Sequence, residues 1–563
     1  MSPTAHYVAF RRGASRVRIP ASSIGAGLQA FQRKALSMSA SRSGIRRRAF
    51  LARAAMGLGV GYAALTGRAP GAWGSPRDIA EPTGSEAAVE NALWIPPLAP
   101  SVQEGDTRIF DLVAAPGRTA IMPGTETETW GYNGSILGPT LRVRSGEKIQ
   151  IHVHNQLPEP TTAHWHGMRL PAECDGGPHQ MIEAGATWSP TWWVDQPGST
   201  LWYHPHPHGS TEVHVYRGLG GLLYVDDDET TSDLLPNRYG EDDVPLIVQD
   251  KTFDEQGQLV ETGRRGVGML GTTLLVNGQY QPTFRVTSEL TRFRILNGST
   301  ARSYNFGFSD GRPFHLIASD GGLLDAPVQL DRVQLTPAER VEIVVRMSPG
   351  ERVMLHSYPQ ELGAPNVPTG AQHEFDVLPL IAADELRPSP PLAERLTEVQ
   401  RIDPGHAVTS REFLLYRDSI NDQRMDMTRI DVVVTVDTIE IWDVKNVSRL
   451  PHNFHVHGMQ FEVLSFNGQA PPPELTGWKD TVFVPPGVPM QLIMRFAKYS
   501  DPNLPYMYHC HLLWHEDSGV MGQFVVVEPG EEAGTVTTGL DWPASGRPTL
   551  SSPHPYQHHG RHG

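Results

Sequence analysis

Four short motifs concentrate the side chains best suited to hold metal ions. His164-Trp165-His166-Gly167 and His204-Pro205-His206 lie in the first half of the chain; His452-Asn453-Phe454-His455-Val456-His457-Gly458 and His509-Cys510-His511, followed by His515, lie near its end. Alternate residues of an extended strand share a face, so each His-X-His pair turns two imidazoles the same way and eight imidazoles can converge. In His509-Cys510-His511 the thiolate falls on the face opposite its two neighbours, so three residues join two metal sites through covalent bonds. One thiolate with two imidazoles favours a blue copper site, and an all-imidazole cluster suits further copper ions. A solitary His-X-His carries little weight, because hydrogen-bonded and surface histidines outnumber ligands. Four such motifs in matching places of a repeat, one of them holding the only late cysteine, carry much more.

The elements that must position these motifs read as short strands. From about residue 90, β-branched and aromatic runs alternate with Gly, Pro, Asn and Asp, the pattern of sandwiches or barrels. The 55 glycines and 48 prolines among 563 residues argue against helical bundles and coiled coils. Asn133-Gly134 with Pro139-Thr140-Leu141-Arg142-Val143 is echoed by Asn277-Gly278 with Pro282-Thr283-Phe284-Arg285-Val286, each leading into a strand that ends at an asparagine, Asn155 or Asn297. A weaker third copy runs from Arg429-Ile430-Asp431-Val432 through Glu440-Ile441-Trp442 to Asn446. His164 and His455 each stand nine residues beyond the asparagine of their copy, whereas the second copy has Tyr304-Asn305-Phe306 there. The pattern predicts three related β-sandwich units, at residues 90–230, 244–385 and 405–530, with metal chemistry in the outer two. Residues 386–404, with Pro388, Pro390 and Pro391, read as a linker. Residues 531–563 read as a solvated tail, where His554, His558, His559 and His562 offer at most weak surface copper binding.

Composition bounds the rest. Two cysteines exclude a disulfide scaffold. The net charge of −15 conceals a basic leader, since residues 1–53 carry eleven Arg or Lys and no acid, leaving −26 on the remainder. Such a body repels phosphate backbones, so no nucleic-acid partner is expected; neutral or cationic small molecules fit better. Arg46-Arg47-Arg48-Ala49-Phe50-Leu51 ahead of an Ala/Gly-rich run resembles a twin-arginine signal, although Arg46 stands where Ser or Thr is usual. Residues 1–74 are therefore expected to serve export through the twin-arginine machinery to the periplasm or the medium, with translation starting at Met1 or Met38.

Asp175-Gly176-Gly177-Pro178, Gly477-Trp478-Lys479-Asp480-Thr481-Val482 and His511-Leu512-Leu513-Trp514-His515-Glu516-Asp517 complete the picture. With the histidine motifs, they make the chain from about residue 90 to 530 resemble three-domain multicopper oxidases, most of all bacterial copper-efflux oxidases and laccase-like relatives. The resemblance implies an all-β fold of three cupredoxin-like Greek-key β-sandwich domains and four copper ions. Carried over by motif, His452, Cys510 and His515 hold the type 1 copper, and His164 and His455 the type 2 copper. His166, His204 and His511 hold one type 3 copper, and His206, His457 and His509 the other. Asp175 and Glu516 match acids with proton-handling roles. His208 is expected to stay outside the ligand set.

The implied activity is removal of single electrons from phenols, aromatic amines or metal ions, coupled to reduction of dioxygen to water, by a chain expected to be monomeric. Residues 355–420 contain no Met, which weakens a cuprous-oxidase assignment. Close relatives carry an axial Met five residues after the second type 1 histidine; here Val520 takes that place and Met521 follows, so no strong axial ligand is expected unless a bulge returns Met521. Cys174 is left without a role. The competing readings are a copper-free structural relative of the cell-division type, which should lack the ligand set, and a copper-storage protein.

Overall fold

The computed structural model describes residues 91–262 and 266–536; the export leader expected in residues 1–74 and the four tail histidines lie outside the described residues. No helix among the described residues is long and apolar enough to cross a membrane. Among the described residues the strands form six sheets, stacked in pairs around three main apolar cores. One core is built from residues between Ala99 and Val225, a second mainly from residues between Val244 and Ala382, and a third mainly from residues between Phe413 and Val526. Among the described residues two α-helices stand between the strands, α1 (Thr211–Arg217) and α2 (Leu513–Asp517).

The ligand-bearing sheets of the outer units share one topology. In the first, the spatial order is Leu141–Arg144, Gly221–Asp226, Ser199–His204, His164–His166. In the third it is Val432–Thr435, Met521–Val527, Asp501–His509, His452–Val456, with Thr481–Val484 added at the edge. The first two strands of each series run parallel and the next pairings are antiparallel. The registers place His164 opposite His204 and His455 opposite His509, so each ladder brings two distant motifs together.

The asparagines of the repeat explain how the chain reaches these strands. Asn155, Asn297 and Asn446 end the strands Lys148–Asn155, Leu290–Asn297 and Thr438–Asn446, and all three are buried. Each side-chain amide donates to two carbonyls, Glu159 and Ile182 for Asn155 (2.9 and 2.8 Å), Arg302 and Leu335 for Asn297 (2.8 and 2.9 Å), Leu450 and Val484 for Asn446 (2.8 and 3.0 Å). Each Oδ1 accepts from the backbone N–H two residues on. The clamp satisfies backbone groups that the turn would otherwise bury unpaired. Asn133 and Asn277 adopt positive φ (54° and 51°), a conformation asparagine tolerates better than most residues. The structure supplies their third counterpart, Asn421 (φ 51°), which takes Leu414 N–H and donates to Glu412 O as the others do in their copies.

Strand alternation then sorts the side chains. Trp165 turns into the first core, 5.5 Å from Trp192, while His164 and His166 turn out of it. In the third unit Phe454, Val456 and Cys510 turn into the core, leaving His455, His457, His509 and His511 on the outer face. At the matching place in the middle unit Tyr304 and Phe306 stack inside the core, 5.3 Å apart. The strand Phe375–Arg387 crosses the boundary expected at residue 385, because Arg387 bonds Asp242 and Ser288, both at 2.7 Å. The stretch expected as a linker is strapped down rather than loose. Leu396 N–H donates to Asp325 O (2.9 Å) and Arg401 pairs with Glu462 (2.9 Å).

Replacing Asn446 by Ala strands one buried and two part-buried backbone groups beside His452–Val456, the buried one at about 1–3 kcal/mol if nothing relaxes. The thermal midpoint of Asn446→Ala should fall by several degrees in calorimetry, and an unchanged midpoint would show the clamp to be dispensable.

Candidate metal centre

Two groups of buried ligand-type side chains lie on opposite faces of the His509-Cys510-His511 segment. On the inner face, Cys510 Sγ is 3.2 Å from His452 Nδ1 and 3.5 Å from His515 Nδ1. The loop between them closes through Cys510 N–H to Val520 O (3.0 Å) and Val520 N–H to His515 O (2.9 Å), which fixes α2 and thus His515. His515 Nε2 donates to Gly266 O at 2.7 Å, so Nδ1 is its free lone pair. Asn453 Oδ1 accepts from His511 N–H (2.6 Å) and sits 3.6 Å from the sulfur. Val520 belongs to the apolar cluster that contains Cys510 and Leu512; Met521 does not, and instead opens the strand Met521–Val527 opposite His509 with no register shift there.

On the outer face, four imidazoles from each outer unit meet. His164, His166 and His455 form one group, His166, His204 and His511 a second, His206, His457 and His509 a third. Rings from different units stack, His166 on His455 at 3.7 Å and His164 on His457 at 3.9 Å. Seven of the eight turn Nε2 towards the shared space. For five of these Nδ1 faces a backbone carbonyl or the Asp175 carboxylate: His164 to Asp175 O, His204 to Pro205 O, His455 to Asp480 O, His509 to Cys510 O, and His457 to Asp175 Oδ2 (2.7 Å). His166 is reversed, with Nδ1 3.4 Å from His204 Nε2 and Nε2 2.9 Å from Asp480 Oδ1. Burial lowers the basicity of all eight, to about 3 for His164, His206 and His509, so they stay neutral with lone pairs available. Burial pushes the Cys510 thiol up to about 12, so a metal must displace its proton.

Both expected acids border the imidazole cluster. Asp175 is buried, its Oδ1 makes no hydrogen bond and lies 3.5 Å from His164 Nδ1, and burial holds its carboxyl well above the usual range. Glu516 lies between two ligand-type rings, Oε1 3.4 Å from His206 Nδ1 and Oε2 3.2 Å from His509 Nδ1, and burial raises its pKa too. His208 is exposed, away from the buried groups. Cys174 is a free thiol in the first core, its Sγ 3.5 Å from Thr191 O, whereas Cys510 belongs to the third core. Sequence reasoning missed Asp480 as a partner of His166 and His455, although it sits inside the Gly477–Val482 motif. It also missed Asp517, whose carboxylate takes Thr211 and Glu212 N–H (2.9 and 3.0 Å) at the start of α1.

Family profiles described as multicopper oxidase match residues 114–230, 224–366 and 389–530. The chain belongs to the multicopper oxidase family. It is 35% identical to the multicopper oxidase mco of Staphylococcus aureus over 77% of this chain and 91% of that one. It is equally 35% identical to the cell division protein FtsP of Escherichia coli K12, over 78% and 94%. Among solved structures, a laccase from Pediococcus acidilactici superposes with a TM-score of 0.70 at 35% identity, covering 78% of this chain and 94% of that one. The three sandwiches of this multicopper oxidase are accordingly cupredoxin-like. Its donor set fits copper. The Nε2 atoms of His164 and His455 are buried with no hydrogen-bond partner, and one sulfur with two imidazole nitrogens is a set that copper favours.

With Val520 in the same apolar cluster as Cys510, Val520→Met should lower the reduction potential of a copper ion held by His452, Cys510 and His515, by adding a thioether donor. Redox titration of the blue band checks this, and an unchanged potential would put Met521 in the axial place instead.

Proposed function

We propose that the chain is a copper-dependent oxidase that takes single electrons from phenols, aromatic amines or metal ions and passes them to dioxygen. The observation that carries the reading is that all eleven ligand positions are filled and come together in four buried groups. His452, Cys510 and His515 would hold the type 1 copper; His164 and His455 the type 2 copper; His166, His204, His511 and His206, His457, His509 the two type 3 ions. Four copper ions so held would supply one-electron oxidation of the donor at one end and four-electron reduction of dioxygen to two waters at the other.

The chain's own residues supply the rest. Cys510 is bonded through backbone to His509 and His511, so one short peptide path connects the donor-side group to both type 3 groups. Asp175, whose carboxyl burial holds well above the usual carboxylate range, offers Oδ1 as the place for a proton while Oδ2 orients His457. Glu516 is placed to do the same beside His206 and His509. Oxygen reduction consumes four protons, and a carboxyl so placed relays them one at a time, passing through its carboxylate and regaining a proton between transfers. The strongly acidic body favours neutral or cationic donors. The twin-arginine-like motif supports export to the periplasm or beyond.

FtsP among the relatives gives the second reading, a structural protein on the same fold. The filled ligand set favours the oxidase, because a scaffold has no use for eight neutral imidazoles buried together. Copper-loaded protein should be intensely blue and consume oxygen with a phenol or with cuprous ion; colour with neither activity would transfer the chain to the structural or storage class. Asp175→Asn keeps the acceptor for His457 and removes the proton. It should slow oxygen uptake on the order of a hundredfold with the blue band intact, and full turnover would reject the relay.

A further inference from the structure

The middle unit contributes none of the eleven ligand-type side chains, yet one of its residues reaches the imidazole cluster. Arg340 opens the strand Arg340–Arg346 and is fully buried. Its guanidinium grips Asp480 of the third unit with two bonds, Nη1 to Oδ1 at 2.7 Å and Nη2 to Oδ2 at 2.6 Å. The remaining three N–H groups go to backbone carbonyls: Nε to Thr200 (2.9 Å), Nη1 to Ala338 (3.2 Å) and Nη2 to Asp320 (3.0 Å). All five donors are used, and they touch all three units. Thr200 lies on the strand Ser199–His204, which ends in a cluster imidazole.

Asp480 in turn holds two rings. Its Oδ1 accepts from His166 Nε2, and its backbone O from His455 Nδ1 (2.8 Å). Thr481 Oγ1 lies 3.1 Å from His166 Nε2. These contacts account for the reversed ring, because a carboxylate acceptor at Nε2 fixes the Nε2–H tautomer and leaves the Nδ1 lone pair facing His204. Gly167 makes room for the clamp. At its φ of +86° a Cβ would meet Asp480 Oδ2 at 2.4 Å and Arg340 Nη2 at 2.9 Å, so only glycine lets the chain turn directly after His166. Lys479 bonds Asp320 (2.9 Å) and Glu339 (3.2 Å) in the same buried ionic network without touching Asp480's carboxylate or a ring.

We propose that Arg340 is a positioning residue of the trinuclear cluster, through which the unit without ligands orients Asp480 and thereby selects Nδ1 of His166 as the metal-facing nitrogen. This rests on the copper reading above. The planar fork matters as much as the charge, since only a guanidinium can hold both carboxylate oxygens while its other donors anchor three carbonyls.

The test loads full-length wild type, Arg340→Lys and Lys479→Met with copper(II), then measures copper per chain after a graded chelator challenge, the blue absorption, and the electron paramagnetic resonance signal of the type 2 ion. Arg340→Lys should lose trinuclear copper at least tenfold more readily than wild type and show an altered type 2 signal, with the blue band kept. Lys479→Met, which breaks the same network elsewhere, should retain its copper. Equal losses in the two variants would reduce Arg340 to a structural ion, and a wild-type signal and retention in Arg340→Lys would overturn the proposal. If Arg340→Lys does not fold, Asp480→Asn is measured in its place with the same two overturning results. Wild type that takes up no copper would refute the copper reading itself, a result separable from failure of the variants alone.

Discussion

Eight imidazoles must be buried together without charge, and most of the architecture between the outer units follows from that. An imidazole removed from water keeps its lone pair only if its other nitrogen has somewhere to place a hydrogen. The chain provides such places for six of the eight from within: carbonyls of Asp175, Pro205, Asp480 and Cys510, and the carboxylates of Asp175 and Asp480. Four rings come from each outer unit, and the tightest stacks pair one unit with the other. Neither outer unit can complete the cluster alone, so the first and last thirds of the sequence have to meet for the chemistry to exist.

The middle unit has a different task. Its core takes the rings that stand where the other copies carry histidine, and its surface offers Arg340, Asp320 and Glu339 to Lys479 and Asp480 of the third unit. Burying five ionisable groups contributes little to stability on balance, because desolvation opposes the pairing. What the network does provide is orientation. A bidentate pair with every donor used has one geometry, and that geometry is passed to a ring nitrogen.

The ligand motifs, the three units and the repeat were legible in the sequence because each depends on local spacing. Two-residue periodicity separates Cys510 from its flanking histidines, and an asparagine followed nine residues later by histidine marks the same corner twice. What could not be read depends on contacts between distant segments. Asp480 stands hundreds of residues from His166 in the chain, and no spacing rule relates Arg340 to either. The third Asn turn was hidden by the longer excursion between Asn421 and Asn446. The strapped stretch after Arg387 looked like a linker for its prolines, whereas its docking depends on Asp325 and Glu462 from elsewhere. Val520 and Met521 form an intermediate case: the sequence stated the one-residue shift, and the regular ladder opposite His509 shows no bulge to undo it.

Helix α2 packs three neighbouring side chains into three separate environments. His515 faces the sulfur of Cys510, Glu516 faces His206 and His509, and Asp517 caps α1 of the first unit. Each added or deleted residue in a helix rotates everything beyond it by about 100°. A single insertion here would therefore misdirect all three at once, and no later substitution could restore them separately. A change to this five-residue helix keeps all three contacts only if it exchanges side chains at constant length. The length of chain between Cys510 and Val520 is thus as much a condition of this arrangement as the ligand side chains it carries.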